Sequence, residues 1–279
     1  MTVWFITGAS RGFGLEITKE ALSRGHSVVA TARNPRAVLD AIPDGGDRLL
    51  AVALDVHQPD QINAAVDAAI GTFGRIDVLV NNAGRGLLGA VEEASDAEVR
   101  AVFDVNVFGL LAVTRAVLPH LRAQRSGLVV NLSSVGGFVS NPGWGVYAST
   151  KFAVEALSEA MTHELAPLGI RVVAIEPGPF RTNFLDGSSL GVVANEIDDY
   201  ASTAGATRKW AGDTNYDQDG DPLKAAEIIV DLADREDLPE RIQLGAEAFQ
   251  RVAEKLARTA RDQEAWRDVA LSADYEPVS

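Results

Sequence analysis

Short apolar runs alternate with amphipathic stretches along most of the chain. Val3 to Thr7, Ser27 to Ala32, Leu49 to Leu54, Val78 to Asn81, Leu128 to Leu132 and Arg171 to Glu176 are nearly continuously apolar, and Ile242 to Leu244 is a shorter run. Runs of this kind predict strands buried on both faces of a parallel sheet. The stretches between them carry helical periodicity: Gly14 to Arg24, Asp60 to Phe73, Ser95 to Arg125, Tyr147 to Leu168, Pro222 to Ala233 and Ala246 to Ala270. Right-handed crossovers then predict an α/β, doubly wound parallel sheet, with the whole chain, residues 1–279, as one domain.

One segment breaks the alternation. Residues 183–221 are rich in Gly, Ser, Thr, Asn and Asp with scattered apolar residues. A connection this long inside a domain is usually a functional lid or poorly ordered, and a substrate lid is the expectation. Asp221-Pro222 then reads as an N-cap followed by proline at the first helical position. Residues 234–279 are expected to form a C-terminal extension.

Composition narrows the function. Acidic residues outnumber basic ones, 39 to 25, and no basic run is present, which argues against nucleic-acid or anionic-membrane partners. With no cysteine there is no disulfide, no thiolate nucleophile and no cysteine metal site, which fits a cytoplasmic location. No signal peptide is expected, because Val3-Trp4-Phe5-Ile6 runs straight into a glycine turn, and no apolar run approaches the roughly 20 residues of a membrane helix.

The chemistry concentrates in Tyr147-Ala148-Ser149-Thr150-Lys151. Four residues apart on a helix places Tyr147 and Lys151 on one face. An ammonium beside a phenol lowers the phenol pKa from about 10 toward working pH, making Tyr147 a proton donor and acceptor for a carbonyl/alcohol pair. The first strand ends in Thr7-Gly8-Ala9-Ser10-Arg11-Gly12-Phe13-Gly14, where glycines permit a tight turn and backbone N–H groups approach a phosphate at a helix N-terminus. The spacing, G-x-x-x-G-x-G, differs from the common dinucleotide fingerprint. After strand two, Ala30-Thr31-Ala32-Arg33-Asn34-Pro35 offers no carboxylate for an adenosine ribose. Arg33 and Arg11 could instead converge on a 2′-phosphate, so the expected cofactor is NADP rather than NAD. The alternative is two solvated surface arginines.

Together these motifs resemble the short-chain dehydrogenase/reductase family, densely from Val3 to about Thr182 and more loosely beyond. The loop from Thr7 to Gly14, with Gly8, Ser10, Arg11, Gly12, Phe13 and Gly14, matches the family's cofactor motif. Asp55 and the adjoining Val56 match its adenine contact. Asn81-Asn82-Ala83-Gly84 matches its N-N-A-G motif, Asn106 its helix asparagine and Ser134 its catalytic serine. Pro177-Gly178 with Thr182 matches the stretch that holds the nicotinamide. Phe13 stands where an aliphatic residue is more usual, and Phe152 where a small one is common. The segment Pro179 to Phe184, with the long C-terminal stretch, resembles the retinol- and hydroxysteroid-dehydrogenase-like branch.

The resemblance implies a Rossmann fold and a set of roles. Ser134 would hold the substrate oxygen, Tyr147 would exchange the proton, and Lys151 would lower the tyrosine pKa and bond the nicotinamide ribose. Asn106 would hold a water linking Lys151 to solvent. Plainer roles exist for each: Asn106 as a buried asparagine bonded to a backbone carbonyl, Asn81 and Asn82 as turn formers, Thr182 as an N-cap. A catalytically idle dinucleotide sensor on the same fold is the other class of function, and an epimerase or dehydratase a third.

The remaining features are weaker. Asn215 to Gly220 echoes the start of a calcium loop, but Pro222 interrupts it, and the four histidines show no metal-ligand spacing, so no metal is expected. There is no G-x-S-x-G elbow of a hydrolase. The expected substrate wall, Gly136 to Val146 with Phe138 and Trp144, plus Phe184, Leu185 and Leu190 of the lid, is mostly apolar and suits a hydrophobic carbonyl compound or secondary alcohol. The helices Ser95 to Arg125 and Tyr147 to Leu168 carry apolar residues on more than one face (Val102, Val105, Leu110 and Leu111; Val154, Leu157 and Met161). A homodimer or homotetramer through them is expected, as across the family, with simple burial under loops as the alternative.

Overall fold

The computed structural model describes residues 1–275. Seven parallel strands form the central sheet: β1 (Val3–Thr7), β2 (Ser27–Ala32), β3 (Leu49–Ala53), β4 (Val78–Asn81), β6 (Gly127–Leu132), β7 (Ile170–Pro177) and β9 (Arg241–Leu244). A two-stranded parallel pair, β5 (Gly86–Leu88) and β8 (Leu190–Val192), stands apart from it. The order in the main sheet is β3-β2-β1-β4-β6-β7-β9, the doubly wound arrangement expected from the alternating pattern. The order reverses between β1 and β4, and ligands of such sheets bind outside the strand ends at that point.

Alternation along each strand divides the core into two layers. Trp4, Ile6, Val28, Ala30, Val78, Val80, Leu128 and Val130 face α1 (Gly12–Ser23) and α8 (Pro222–Asp231), where Ile17, Ala21 and Ile229 meet them. Phe5, Val29, Leu79, Val129 and Val172 face α3 (Pro59–Phe73), α5 (Leu110–Gln124) and α6 (Gly145–Leu165), where Ile62, Val66, Val113, Val117 and Met161 meet them. Full burial of each large apolar side chain is worth roughly 1.5–3 kcal/mol, so the strand alternation fixes which helix lies on which side. The remaining helices are α2 (Arg36–Ala41), α4 (Asp96–Phe103), α7 (Ala206–Thr214), α9 (Ala246–Ala265) and α10 (Arg267–Leu271). Asp221 caps α8 as expected, its carboxylate accepting from Leu223 N at 2.9 Å.

The single helix expected from Ser95 to Arg125 is interrupted. Between α4 and α5, Asp104–Gly109 is a π-helical stretch, the kind of local widening often found at functional sites. The span Asp96–Gln124 is nevertheless long and apolar enough, by length and composition, to cross a membrane, contrary to the expectation of no such run. Val102, Val107, Leu110, Val113, Val117 and Leu121 within it are buried in the protein's own core, which accounts for that composition. The 183–221 segment is also more structured than its composition suggested, since it contains β8 and α7.

Candidate active site

Thr7, the last residue of β1, ties the nucleotide loop to the end of β4. Its Oγ1 accepts from the backbone N–H groups of Asn82 and Ala83, each at 3.0 Å. Asn82 Nδ2 returns two bonds, to the carbonyls of Thr7 (2.8 Å) and Gly8 (3.1 Å). Gly8 and Gly12 have φ of +67° and +55°, a region that disfavours side chains. Gly14 is glycine for space: a Cβ there would stand 2.5 Å from both Asn82 Nδ2 and the Gly8 carbonyl oxygen. No side chain caps the N-terminus of α1 and no acid lies in its first turn, so its first N–H groups and dipole are free for an anion.

This loop opens one end of a cavity of about 930 Å³ at the strand ends. Gly8, Ser10, Arg11, Gly12, Phe13, Arg33, Asp55, Val56, Asn82, Ala83, Gly84, Ser134, Tyr147, Lys151, Pro177, Gly178 and Thr182 all line it. Gly14 packs against the lining residues Gly8 and Asn82, and Asn106 Oδ1 lies 3.4 Å from where a Cβ on Gly84 would stand. Asp55 sits in a tight turn with His57, accepting from its backbone N at 3.1 Å and lying 2.7 Å from its Nδ1. Burial pushes the Asp55 carboxyl up, but the His57 bonds and the charge of Arg33 outweigh it and leave the group below its ordinary range. The Arg11 guanidinium bonds Ser188 Oγ (2.7 Å) and the Ser188 carbonyl (2.9 Å), strapping the nucleotide loop to the 183–221 segment. Thr182 Oγ1 caps a short turn by accepting from Phe184 N at 3.3 Å.

The other end of the cavity gathers the polar residues of β6 and α6. Ser134 Oγ accepts from Gly136 N at 3.0 Å, which fixes its rotamer at the start of a single 3₁₀ turn. A Cβ on Gly136 would lie 3.3 Å from Ser134 Oγ and 3.5 Å from Tyr147 Cε1, so serine and tyrosine flank one glycine. Lys151 Nζ donates to the Leu132 carbonyl at 2.7 Å and lies 5.9 Å from the centre of the Tyr147 ring. The phenol is not drawn toward neutral pH as the sequence suggested. Burial pushes it up to about 12, with Ser134 pulling the other way. The ammonium is bonded to a carbonyl rather than to the phenol, and burial lowers Lys151 itself to about 8, opposed by Glu155.

Asn106 lies in the π-helical stretch. Its Oδ1 accepts from Arg85 N (2.9 Å), and its Nδ2 donates to the Arg85 carbonyl (2.8 Å) and to Thr150 Oγ1 (3.0 Å). The side chain therefore clamps the β4–β5 connection to α6, which corresponds to the plainer role foreseen for it. Below it a buried polar chain runs Thr114–Asn81–Asn131–Ser158, with distances of 2.8 to 2.9 Å. This chain was missed, although Asn131 inside the apolar run of β6 was a visible signal. Arg85 and Thr150 carried no such signal.

Aromatic rings wall the mouth. Trp144, Tyr147 and Phe184 form a triangle with centroid separations of 5.5, 5.4 and 6.4 Å, and Leu185 and Trp210 add apolar surface. The 183–221 segment is pinned on its far side by Glu93, which accepts from Ala90 N (2.7 Å), Ile197 N (2.9 Å) and Arg208 Nη1 (2.7 Å). Among the described residues, no group of three or more His, Asp or Glu is placed to hold a metal ion.

A family model described as short chain dehydrogenase matches residues 2–190. The chain belongs to the short-chain dehydrogenase family. The match runs from β1 to the start of β8 and includes every residue of the nucleotide loop and of the Ser134–Tyr147–Lys151 group. Oxidoreductase BOA17 of Botryotinia fuckeliana is 36% identical over 271 residues, 97% of this chain and 98% of that protein. A short-chain dehydrogenase from Streptomyces avermitilis is 40% identical in structure-based comparison, covers 98% of this chain and 100% of its own, and superposes with a TM-score of 0.91. Two more distant members were solved with cofactor. One is from Burkholderia phymatum in complex with NAD (26% identity, TM-score 0.78, 100% of this chain and 98% of that chain). The other is an alcohol dehydrogenase from Thermococcus sibiricus complexed with 5-hydroxy-NADP (26% identity, TM-score 0.69, 88% of this chain and 96% of that chain). This protein is thus an oxidoreductase of a family that uses nicotinamide dinucleotides. The open α1 terminus, the two left-handed glycines and the extended cavity fit such a cofactor.

Proposed function

We propose that the protein is an NADP(H)-dependent oxidoreductase interconverting a hydrophobic carbonyl compound and its secondary alcohol. The observation that carries this reading is the convergence of Ser134, Tyr147 and Lys151 on one buried wall of a cavity whose opposite end is a phosphate-binding loop. The nicotinamide, when bound, would supply or accept the hydride. The chain's own residues do the rest. The Ser134 hydroxyl holds the substrate oxygen, and Tyr147 gives it a proton in reduction and takes one back in oxidation. Lys151, held by the Leu132 carbonyl near the Tyr147 ring, would supply positive charge to that wall and bond the ribose hydroxyls of the bound cofactor. Acid–base help of this kind is typically worth about 10²- to 10⁴-fold. Burial, which holds the phenol up to about 12, keeps Tyr147 protonated and able to donate at ordinary pH.

Arg33 at the end of β2, where no carboxylate stands, supports NADP over NAD. The aromatic triangle with Leu185 and Trp210 supports an apolar substrate, as does the likeness of Pro179–Phe184 to the retinol- and hydroxysteroid-dehydrogenase-like branch. In this reading the chain works as one domain, with residues 183–221 as the lid and 234–279 as an extension whose last four residues lie outside those described. Phe108 and Phe152, exposed on the central helices, support a homodimer or homotetramer through that face. The test is fluorescence titration of the purified protein with NADPH and NADH, then addition of ketones, aldehydes and quinones while absorbance is followed. Preferential NADPH binding with oxidation on an apolar carbonyl is expected. Tight binding with no turnover across the panel, in either direction, would favour a dinucleotide sensor.

A further inference from the structure

Directly behind the Tyr147–Lys151 turn lies a cluster of buried polar atoms that the proposed reaction does not use. Glu155, one turn beyond Lys151 on α6, is 6% exposed, and Glu176 on β7 is completely buried. Neither Glu155 oxygen has a donor, nor does Glu176 Oε1, and the buried Ser133 hydroxyl is also unpaired. The second Glu176 oxygen takes Gln243 Nε2 of β9. A Cβ on Gly137 would meet Ser133 Oγ at 2.6 Å and Glu155 Cγ at 3.0 Å, so hydroxyl and carboxyl stand side by side around that glycine.

The surrounding charges are few. On α6, Lys151 is bonded to the Leu132 carbonyl and Glu159 is bonded by Arg241 of β9 at 2.7 Å. The same arginine reaches only to 4.0 Å from Glu155. On α9, Lys255 donates to the Phe138 carbonyl at 2.6 Å. No full countercharge is therefore available for two ionised carboxylates. Arg241 and Gln243, two residues apart on β9, reach Glu155 and Glu176 respectively, which sets both carboxyls against the same face of that strand; two buried carboxyls so placed do not both ionise near neutrality, and the pair keeps one proton and one charge.

We propose that Glu155 and Glu176 share a single proton beside Ser133 and hold one negative charge behind Lys151 that keeps its ammonium charged. Both glutamates are then positioning residues, acting through Lys151. The catalytic consequence rests on the role proposed above for Lys151; the shared proton does not. Burial raises both carboxyls, Glu155 to about 7, and Glu155 is the group that opposes the burial-driven lowering of Lys151.

The test uses the full chain and its Glu155→Gln, Glu155→Asp and Glu176→Gln variants. Infrared titration should show a protonated-carboxyl stretch persisting to near neutral pH, lost from Glu155→Gln or moved to lower pH in Glu176→Gln. In protein labelled with ¹³Cε-lysine, the Lys151 resonance, assigned from Lys151→Arg, should titrate about one unit lower in Glu155→Gln. That is roughly the low end of the effect of one nearby opposite charge. Glu155→Asp should restore most of that shift. Absence of the acid band in the unmodified chain overturns the shared proton. A band present with an unmoved Lys151 titration overturns the link to Lys151. A moved titration in a chain that turns over no carbonyl upholds this inference and defeats the reaction assigned above.

Discussion

Replacing Gly14 with alanine tests whether the nucleotide loop is built as described. The new Cβ would stand 2.5 Å from Asn82 Nδ2 and from Gly8 O, where ordinary contact begins at 3.4 Å. Roughly 1 Å must be found, and neither neighbour yields easily. Asn82 is held by two bonds to the Thr7 and Gly8 carbonyls, and Gly8 already occupies the left-handed region. Overpacking of this size costs about 1–3 kcal/mol, and weakening two hydrogen bonds adds ~0.5–1.5 kcal/mol each. The expected loss is about 2–6 kcal/mol, a fall in Tm on the order of 10 °C. Dinucleotide affinity should fall at least about tenfold, since the displaced loop carries the phosphate-binding N–H groups. Gly71, in α3 with nothing within 4 Å of its would-be Cβ, is the control. Gly71→Ala should stabilise by roughly 0.5–1 kcal/mol and leave affinity unchanged. Thermal melts and cofactor titration on the three proteins decide the matter. A Gly14→Ala protein with unchanged Tm and unchanged affinity would refute the packing argument.

Arg33→Ala should reduce the preference for NADPH over NADH by at least about tenfold, whereas Arg11→Ala, whose guanidinium is bonded to Ser188, should leave the ratio near its original value; comparative titration of both variants checks this. The pH dependence of stability carries a second signature. Burial raises the Glu155–Glu176 pair above the ordinary carboxylate range, so its contribution to stability is fully present below that range and is lost as pH rises toward neutrality. Urea denaturation at about pH 5 and about pH 7.5 should show that fall in the unmodified chain and a smaller one in Glu155→Gln.

Much of the fold was legible because both sheet faces are covered by helices, which forces nearly continuous apolar runs in β1, β2, β4, β6 and β7. The strands β5 and β8 escaped notice because three residues are too few to show a period, and they pair only with each other, about 100 positions apart in the chain. The π-helical stretch at Asp104–Gly109 was equally hidden, since shifting a few backbone bonds leaves the helical pattern of apolar residues intact. The cavity-lining residues could be read from motif spacing, but what their side chains do could not. Arg11 finds Ser188 across 177 positions, and no local pattern announces that contact. The bonds that tie Asn106 to Arg85 and Thr150 were not legible either, because those partners come from other elements. The phenol of Tyr147 was expected to fall in pKa from its helical spacing to Lys151. Burial, a property of the assembled core, reverses the sign. Glu155 and Glu176 read as ordinary charges on a helix and at a strand end until the fold buries them together.

The most direct test of the account is the rate of NADPH oxidation by an accepted carbonyl substrate in the unmodified protein and in Tyr147→Phe, with cofactor affinity measured on both. Removing only the phenolic hydroxyl should leave the dissociation constant within about threefold and cut kcat by about 10²-fold or more. A Tyr147→Phe protein that retains most of its turnover would contradict the assignment of Tyr147 as the proton donor.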